Sequence, residues 1–473
     1  MRPALSIFNS REALIHSAKA GSERFFSSRR FKKRWNAVCF SRFSNCTDGG
    51  KDPQSSRRRM IQRFPQKFRQ AVSILTLLAL LAGGLTFFSR ALRVNDGYYK
   101  NRPFLEDDRE YDVLFFGTSH IINGVLPMQL WKEYGITSYN LGIHGGSMAA
   151  SYWMTRNAFD HHKPKIAVLD TFLAHAQYTE METALAHAAL DPFPMTGTKA
   201  RAILDIFPDR KDRMEMFFPL DVFHNRWKDL DTQMLRRGAG RETPDTTQKG
   251  GEIRASVLRN ASPILLPADD YPQDSNTIAL QYLEKFIRFC QEEDVIPVVA
   301  YIPFQDGYSE EYQRYSNAAL RLARELGAAT IDLQHMDLID HDTDWYDNIS
   351  HLNPLGAKKV TRALGDYLRE LYPLEDHSDD TSWAEDYERY SAYLAETLAA
   401  SEDLWEILSI LGIEDFRARV EISEDFRMNG QAQKLLDAMG DRLETLQAPA
   451  GGGWTLIIYG KDGAEITRRQ WWI

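Results

Sequence analysis

Residues 113–120 read Val-Leu-Phe-Phe-Gly-Thr-Ser-His, and this stretch decides both the fold and the position of the candidate site. Four apolar residues form a run of strand length that ends at Gly117. A buried strand that stops at a glycine turn places the next side chains at the carboxyl edge of a sheet, where open α/β folds hold their sites. Ser119 is therefore a candidate nucleophile, which needs a base to accept its proton and a third group to orient that base.

A second motif, more than 200 residues later, offers both of these groups. Residues 347–353 read Asp-Asn-Ile-Ser-His-Leu-Asn, with His351 as the candidate base and Asp347 as the candidate orienting carboxylate. Gly-Thr-Ser alone is equally typical of an ordinary strand-to-helix turn with a capping serine. His351 also has a structural alternative as a cap of the helix that follows, although we expect Asn353 to take that role. The pairing of the two motifs, in this order, favours a catalytic site.

The charge of the chain is unevenly distributed. Residues 1–70 hold 17 Lys and Arg against 4 Asp and Glu, a net charge of +13, whereas the whole chain of 473 residues carries −9. The remaining residues therefore carry −22, and an acidic body argues against nucleic-acid binding, which requires clustered Lys and Arg. A chain of this length is expected to hold more than one domain.

The cysteines exclude two kinds of site in the body of the chain. Cys39 and Cys46 lie in the basic leader, and Cys290 is the single cysteine after it. Neither a disulfide framework nor a cysteine zinc site can form in the body. Cys290 follows Phe286 and Phe289 on an apolar helical stripe, where a buried, inert role is expected.

The N-terminal region predicts a basic leader followed by a membrane helix. Residues 1–70 form the leader, whose Arg- and Ser-rich start is interpreted as disordered or as an upstream extension, with Met60 as the favoured true start and a transit peptide as the alternative. Residues 71–88 contain no charge and nearly reach the ~20 residues that span a bilayer, so we predict a transmembrane helix over 71–89. A cleaved signal peptide and a buried core helix are the alternatives.

Flanking charges predict the orientation of this helix. Six basic residues lie just before the apolar run, and two, Arg90 and Arg93, lie just after it. Because the larger positive cluster stays in the cytoplasm, the body of the chain is predicted to lie outside.

From about residue 112 the chain alternates between strand and helix patterns. Alternation of this kind is typical of a parallel sheet with helices on both faces. Strands are predicted over 113–116, 138–141, 166–170, 296–301 and 330–333, and helices over 127–134, 147–161, 276–293, 309–326 and 354–371. Residues 171–275 break the rhythm and are interpreted as an insertion.

A small α+β module is predicted over 383–473, after an acidic linker at 375–382. Its expected elements are a helical stretch over 383–411, a strand over 416–422, a helix over 430–446, and two strands, 454–459 and 465–472, around a hairpin turn at Lys461-Asp462-Gly463. Trp471 and Trp472 either line a sugar-binding platform, close the core of the module or contact the α/β domain, and the last two roles are favoured.

Four motifs together resemble the SGNH/GDSL hydrolase superfamily, and within it the membrane-anchored DltD-like and alginate-acetylation-like (AlgX/AlgJ) branch. The motifs are Gly-Thr-Ser-His at 117–120, Tyr-Asn-Leu-Gly-Ile-His-Gly-Gly-Ser at 139–147, Val-Val-Ala-Tyr-Ile-Pro at 298–303 and His-Leu-Asn-Pro-Leu-Gly-Ala at 351–357. The likeness covers roughly half of the chain. It implies a three-layer α/β/α domain with a parallel sheet over 90–374, interrupted by the insertion.

The resemblance also implies roles for individual residues. Ser119 is the nucleophile, His351 the base and Asp347 the orienting carboxylate, while the backbone N–H groups of Ser119 and Gly145 hold the oxyanion. Three further side chains are candidates to line the cleft: His120, Asn140 and Asp170. A structural role is the alternative for His120, and helix capping is the equal alternative for Asp170. No cofactor is expected, and no metal site, because the adjacent His161 and His162 point to different faces of a helix.

Two features depart from the family pattern. The family usually places its Asp three residues before the His, where this chain has Asn348, so that Asp347 requires a one-residue bulge. Alternatively Asp344 takes the role, or His351 acts in a dyad without a carboxylate. In addition, no Gly-x-Asn-Asp block follows the strand at 166–170 to supply a third oxyanion donor.

The resulting hypothesis is a membrane-anchored, extracytoplasmic O-acyl (acetyl) transferase or esterase that acts on a cell-envelope glycan through an acyl-serine intermediate. The resemblance suggests a membrane-bound O-acyltransferase as its partner. The alternative hypothesis is a catalytically degenerate SGNH-fold protein that serves as an assembly or glycan-binding factor of the envelope.

Overall fold

The computed structural model describes residues 66–93, 100–241, 247–258, 276–305, 309–346, 351–451 and 453–471. Most of the predicted leader, including Met60, lies outside these residues, as does Asp347. The chain forms two compact units, Met1–Ala79 and Leu80–Ile473.

The first described helix, α1 (Gln66–Leu92), contains the predicted apolar run. Its 27 residues correspond to about 40 Å at 1.5 Å per residue, and its length and composition suffice to cross a membrane. Nearly all of its large apolar side chains are exposed, with Leu80 at 68%.

A parallel sheet of five strands forms the centre of the larger unit, which confirms the predicted α/β fold class. The strands are β1 (Val113–Phe116), β2 (Ser138–Asn140), β3 (Ile166–Asp170), β4 (Ile296–Tyr301) and β5 (Ala329–Asp332), in the order β2-β1-β3-β4-β5. The strand order reverses at β1, because β2 lies on one side of β1 and the next strand in the chain, β3, lies on the other side. Such a switch point leaves a crevice at the carboxyl ends of the strands.

Alternate residues of the strands face two different apolar cores. Val113 and Phe115 pack into one core, and Leu114 and Phe116 pack into the other. The first core is covered by α3 (Ser119–Gly124), α4 (Pro127–Tyr134) and α13 (Pro354–Leu371). The second is covered by α5 (Met148–Phe159), α11 (Ile278–Glu292) and α12 (Glu310–Glu325). The sheet is therefore buried on both faces, as parallel sheets require.

Between β3 and α11 the described chain is mainly helical. This segment contains α6 (Thr183–Leu190), α7 (Gly197–Ile206), α8 (Arg210–Phe217), α9 (Pro219–Phe223), a 3₁₀ turn (His224–Asp229) and α10 (Thr232–Gly238). One further short helix, α2 (Asn101–Glu106), lies before the first strand of the sheet. Helix α7 packs on α5, so part of this segment extends the second core.

The C-terminal region contains a second, four-stranded sheet. After α14 (Thr381–Ala400) and α15 (Leu404–Leu411) come β6 (Arg417–Ser423), α16 (Gly430–Asp437), β7 (Leu443–Ala448), β8 (Trp454–Tyr459) and β9 (Glu465–Trp471). The strand order is β7-β6-β8-β9, with β7 parallel to β6 and the other pairs antiparallel. Apolar side chains of this sheet, including Val420 and Leu456, belong to the same continuous core as α5 and α11.

The structure corrects one helix predicted for this region and gives one of the two terminal tryptophans a packing role. The predicted helix over 430–446 is wrong in its second half, because the chain turns at Gly440 with a positive φ of 56° and residues 443–448 form the edge strand β7. Most side chains of β7 are exposed, so the strand has no buried apolar face to mark it in the sequence. Trp471 stacks on the buried Trp454 with ring centroids 4.7 Å apart, which gives it a packing role.

Candidate active site

The turn after β1 places Ser119 at the carboxyl edge of the sheet. Gly117 has φ +142°, and a Cβ at this position would lie 2.8 Å from the Asp170 carboxylate, so only glycine fits. Thr118 is the N-cap of α3, and its side chain accepts a hydrogen bond from the His120 N–H. Ser119 is therefore the first residue of the helix rather than its cap, and its side chain is half-buried.

Ser119 and His351 lie together although 232 residues separate them in the sequence. The distance from Ser119 Oγ to His351 Nε2 is 2.8 Å, which is within hydrogen-bonding range. A hydroxyl and an imidazole in this arrangement can pass a proton between them when the hydroxyl oxygen attacks a carbonyl carbon.

The loop that carries His351 is fixed by its neighbours. The His351 carbonyl accepts a hydrogen bond from the Tyr346 N–H at 2.9 Å, and Leu352 pairs with Trp345 in an isolated β-bridge. Asn353 then caps α13, since its Oδ1 accepts from the N–H groups of Leu355 and Gly356. The predicted capping role of Asn353 is thereby confirmed.

Asp344, the alternative orienting carboxylate, is committed to other groups. Its Oδ1 accepts a hydrogen bond from the Thr343 hydroxyl at 2.9 Å. Its Oδ2 accepts from the Asp340 N–H at 2.8 Å and from Lys359 Nζ at 2.6 Å. The carboxylate is buried, and burial is the main cause that raises its pKa. These contacts assign Asp344 to the support of the loop before His351.

Gly145, the second expected oxyanion donor, lies on the loop that follows β2. It has a positive φ of 56° and is exposed. The same loop is tied to the turn at Ser119, because the Ile143 N–H donates to the Gly117 carbonyl at 2.8 Å. Gly142 lies so close to this turn that a Cβ there would be 3.0 Å from the Thr118 carbonyl oxygen.

Asn140, a possible cleft-lining residue from the sequence, is fixed by hydrogen bonds of its side-chain amide. It is fully buried, its Nδ2 donates to the Ile121 carbonyl at 2.7 Å, and its Oδ1 accepts from the Gly142 N–H at 3.1 Å. One side-chain amide thus links α3, the helix that begins at Ser119, to the loop that carries Gly145. The side chain holds these two segments in register.

Asp170 supports the turn at Ser119 from the end of β3. Its Oδ2 accepts from the backbone N–H and the hydroxyl of Thr118 at 3.3 and 3.2 Å, and its Oδ1 accepts from the Phe172 N–H at 2.6 Å. Burial raises the pKa of this carboxyl to about 6, against the opposite effect of these hydrogen bonds. Asp170 is buried and contacts the turn directly.

His120 lies behind the Ser119–His351 pair in an aromatic wall. Its ring is buried, lies 3.6 Å from the Phe172 ring centroid and 5.2 Å from that of His351, and its Nδ1 is 3.0 Å from Thr118 Oγ1. Phe304 continues the wall, with its centroid 5.2 Å from that of His120. Sequence reasoning missed Phe172 and Phe304, since each follows a strand without any motif of its own.

A segment that sequence reasoning assigned to the insertion also borders the site. We call residues 247–258 the strap. The Glu252 N–H donates to the Ile122 carbonyl at 3.1 Å, and Asn123 Nδ2 donates to the Glu252 carbonyl at 2.9 Å, so the strap is attached to the helix that begins at Ser119. The Glu252 carboxylate accepts from His144 Nε2 at 2.6 Å, next to Gly145.

The same strap reaches the loop that carries His351. The Leu258 N–H donates to the Trp345 carbonyl at 2.8 Å, and Asn353 Nδ2 donates to the Ser256 carbonyl at 3.0 Å. The Arg254 guanidinium lies over the Tyr346 ring, 5.7 Å from its centroid. The strap therefore joins all three segments that hold Ser119, Gly145 and His351.

Among the residues that the structure describes, no group of three or more His, Cys, Asp and Glu side chains is arranged to hold a metal ion. The adjacent histidines at 161 and 162 have separate surroundings. The His162 ring packs against Phe104 with centroids 4.9 Å apart, and that of His161 lies 6.1 Å from Phe193.

Comparisons with known proteins add little to this geometry. No protein-family model and no curated protein matches the chain. One similar solved structure is an acetyl xylan esterase, Est2A, from the rumen bacterium Butyrivibrio proteoclasticus, with 9% sequence identity and a TM-score of 0.24. The match covers 55% of this chain and 63% of that chain, so less than two thirds of the esterase is spanned. Similarity at this level does not assign an activity.

Proposed function

We propose that this chain is a membrane-anchored serine esterase or O-acyl transferase of the SGNH type that acts on a cell-envelope glycan. The observation that carries the proposal is the 2.8 Å distance between Ser119 Oγ and His351 Nε2 at the carboxyl edge of the parallel sheet. Acyl transfer through a serine requires a hydroxyl and a base in this relation.

In the first half of the proposed reaction Ser119 takes up an acyl group. Its Oγ attacks the carbonyl carbon of an ester while His351 Nε2 accepts the hydroxyl proton. The backbone N–H groups of Ser119 and Gly145 donate hydrogen bonds to the oxygen that becomes negative. His351 then returns the proton to the departing alcohol oxygen, the ester bond breaks, and the acyl group remains on Ser119.

The second half repeats these steps with a different nucleophile. Water in an esterase, or a sugar hydroxyl in a transferase, gives its proton to His351 and attacks the acyl-serine carbonyl. The bond to Ser119 Oγ breaks, and His351 returns the proton to that oxygen. Ser119 is half-buried and Gly145 is exposed, and the incoming hydroxyl is proposed to approach from solvent.

We propose Asp347 as the group that orients His351. Asp344 has both carboxylate oxygens engaged with Thr343, Asp340 and Lys359, so it is a poor candidate for this role. A carboxylate on the second ring nitrogen would fix the tautomer of His351 in which Nε2 accepts a proton.

The proposed location follows from α1 and the charges around it. The apolar helix would cross the membrane with its basic N-terminal side in the cytoplasm and the α/β domain of residues 90–374 outside. A tether of this kind confines the enzyme near membrane-derived acyl donors, and a membrane-bound O-acyltransferase is the proposed source of the acyl group. We propose that residues 383–473 belong to the same extracytoplasmic part.

The proposal is tested by trapping the acyl-serine. The full chain, purified in a mild non-ionic detergent, is mixed with p-nitrophenyl acetate, and the intact mass is followed together with the release of p-nitrophenolate. We expect a burst of p-nitrophenolate and the mass of one acetyl group, which peptide mapping locates on Ser119. Ser119→Ala and His351→Ala abolish the burst, and Ser378→Ala, which changes an exposed serine far from the site in sequence, retains it.

An acetyl group on another residue, or a burst that survives in Ser119→Ala, would overturn the proposed mechanism. The absence of any adduct from a chain with a cooperative unfolding transition would favour the alternative function, a glycan-binding or assembly factor of the same fold.

A further inference from the structure

A large open cleft lies at the C-terminal end of α1, away from Ser119. It has a volume of about 900 Å³. Its lining includes Leu85, Thr86 and Ser89 from the last turns of α1. It also includes Phe218 and Leu220, at the start of α9. An apolar wall is therefore continuous with the surface of the helix that is apolar enough to cross a bilayer.

The end of α1 is held against residues 226–238 by hydrogen bonds and close packing. Arg226 Nη1 donates to the Leu92 carbonyl at 2.8 Å, and Arg237 Nη1 donates to the Arg93 carbonyl. Gly238 faces Phe87 so closely that a Cβ there would lie 2.8 Å from the ring. The cleft is thus a fixed feature of the place where the helix leaves its apolar stretch.

Positive charge is concentrated in the same cleft. Five cationic side chains line it, against two acidic ones, Glu106 and Asp191. The cationic residues are Arg90, Arg93, Arg102, Lys199 and Arg237. With histidine neutral, the lining carries an excess of three positive charges, although the chain as a whole carries −9.

The acidic residues neutralise only part of this charge. Arg93 Nη1 lies 3.3 Å from Asp191, which is also 3.1 Å from His187 Nδ1, and Arg102 Nε lies 2.6 Å from Glu106. Arg93 Nε is buried and donates to no atom of the described residues. Burial lowers the pKa of Lys199 to about 8, and a nearby anion would favour its charged form.

The cleft lining includes the exposed side chains of Met195 and Phe218, and further exposed apolar residues lie on the same stretch of the chain. Large apolar residues are common on surfaces singly, but a group of them beside a membrane helix is typical of a surface that meets a bilayer. The exposed residues are Met195 (56%), Met214 (47%), Phe218 (59%), Trp227 (59%) and Leu230 (38%).

We propose that this cleft binds the headgroup of an anionic phospholipid, with the phosphate among Arg90, Arg93 and Arg102 and the acyl chains along the apolar wall of α1. Guanidinium groups match phosphate oxygens in charge and geometry, and an apolar wall that continues into the membrane helix suits a lipid rather than a free ion. The proposal rests on membrane insertion of α1 and is independent of the proposed acyl transfer.

The test measures lipid retention by the full chain in a mild non-ionic detergent. The protein is titrated with a phosphatidylglycerol or a phosphatidylcholine of equal chain length, and bound lipids are counted by native mass spectrometry. We expect one phosphatidylglycerol to be retained in preference to phosphatidylcholine. Arg90→Gln/Arg102→Gln should weaken that binding roughly 30-fold, at about 1 kcal/mol for each cation near a lipid surface.

The control variant Arg201→Gln/Arg236→Gln removes two exposed arginines that lie outside the cleft lining and should bind the anionic lipid as the unmodified chain does. Both double variants are accepted only with an unchanged midpoint of thermal unfolding. Equal loss in the two variants would overturn the proposed site, and so would equal retention of both lipids. Competition by inorganic phosphate as strong as that by the lipid would overturn the assignment to a phospholipid.

Discussion

The imidazole rings of His120 and His351 are stacked, with centroids 5.2 Å apart and an angle of 18° between their planes. His120 is buried and also packs against Phe172. His351 in turn lies 2.8 Å from Ser119 Oγ. The ring of His120 therefore supports the face of the proposed base, which makes it a positioning residue in the proposed mechanism.

The first prediction concerns this stacked pair. His120→Ala removes the support of the His351 ring, and small misplacements of a reacting group are costly, so we expect the rate of Ser119 acetylation to fall roughly 10- to 100-fold. KM for p-nitrophenyl acetate should change little, because the substitution shifts the base that accepts the proton but still leaves it within reach of Ser119.

His120→Phe supplies a flat ring in the same place and should restore most of the rate, which distinguishes stacking from proton transfer by His120. The measurement is the burst rate at saturating ester. If the phenylalanine variant were as slow as the alanine variant, the imidazole itself would be required and the positioning role would be wrong.

The second prediction separates the two candidate carboxylates near His351. Asp347→Asn should lower the burst rate by roughly 10³- to 10⁴-fold with little change in stability, since a serine–histidine pair depends strongly on the group that orients the histidine. Asp344→Asn should instead lower the free energy of unfolding by about 2 kcal/mol, because it breaks charge-assisted bonds to Lys359 and the Asp340 N–H.

Burst kinetics and urea unfolding of both variants check this prediction. A large rate loss in Asp344→Asn at unchanged stability would exchange the roles of the two residues. Full activity in Asp347→Asn would leave a dyad of Ser119 and His351.

The third prediction concerns the pH dependence that Asp170 gives to stability. Burial raises the pKa of Asp170 to about 6 in the folded chain, against an ordinary value of 3.8. The folded state therefore binds the proton more tightly than the unfolded state, so the contribution of Asp170 is complete below about pH 4 and is lost as the pH rises through 6. Relative to Asp170→Asn, the unmodified chain should lose roughly 2.4 kcal/mol between pH 4 and pH 7.

Urea unfolding of both proteins at intervals from pH 4 to pH 8 measures this difference. The difference between them should level off above pH 7. Stability curves that run parallel over the whole range would show that Asp170 titrates at its ordinary value.

Local signals in the sequence predicted much of the fold. Helix α4 begins at Pro127 and α13 at Pro354 after the Asn353 cap, as expected from the preference of proline for the first helical turn. The five parallel strands likewise follow from apolar runs of strand length that alternate with helical patterns. These features depend on residues that are close together in the sequence.

The strap and the edge strand β7 were not predicted because their structure depends on distant partners. The Lys249 carbonyl accepts a hydrogen bond from the Asn140 N–H, and the Glu252 carboxylate accepts one from His144. In each pair the two residues are more than 100 positions apart in the sequence. The glycines around the strap suggested a polar insertion, although Gly250 has φ +78° and lies against the Asn140 carbonyl. The proximity of Ser119 and His351 was likewise expected from a family resemblance, since no spacing rule connects positions so far apart.

The last prediction tests whether the buried charge of Lys249 anchors the strap. Its side chain is fully buried, with Nζ 2.5 Å from one carboxylate oxygen of Asp386 and 3.4 Å from Asp107. Lys249→Met keeps the length of the side chain but leaves Asp107 with the half-buried Arg109, and Asp386 with Arg109 and the exposed Arg389. Removing one member of a buried ion-pair network costs about 3–5 kcal/mol, so we expect a loss of that size in the free energy of unfolding.

A matched control shows whether burial is the cause. Lys211 is 81% exposed and pairs with Glu215 on the surface of α8, so Lys211→Met should change stability by less than about 0.5 kcal/mol. Because the strap joins the segments that carry Ser119, Gly145 and His351, Lys249→Met should also slow the acetylation burst at temperatures where the chain remains folded. A stability loss below about 1 kcal/mol, or an unchanged burst in the folded variant, would show that the backbone hydrogen bonds of the strap hold the site without the buried lysine.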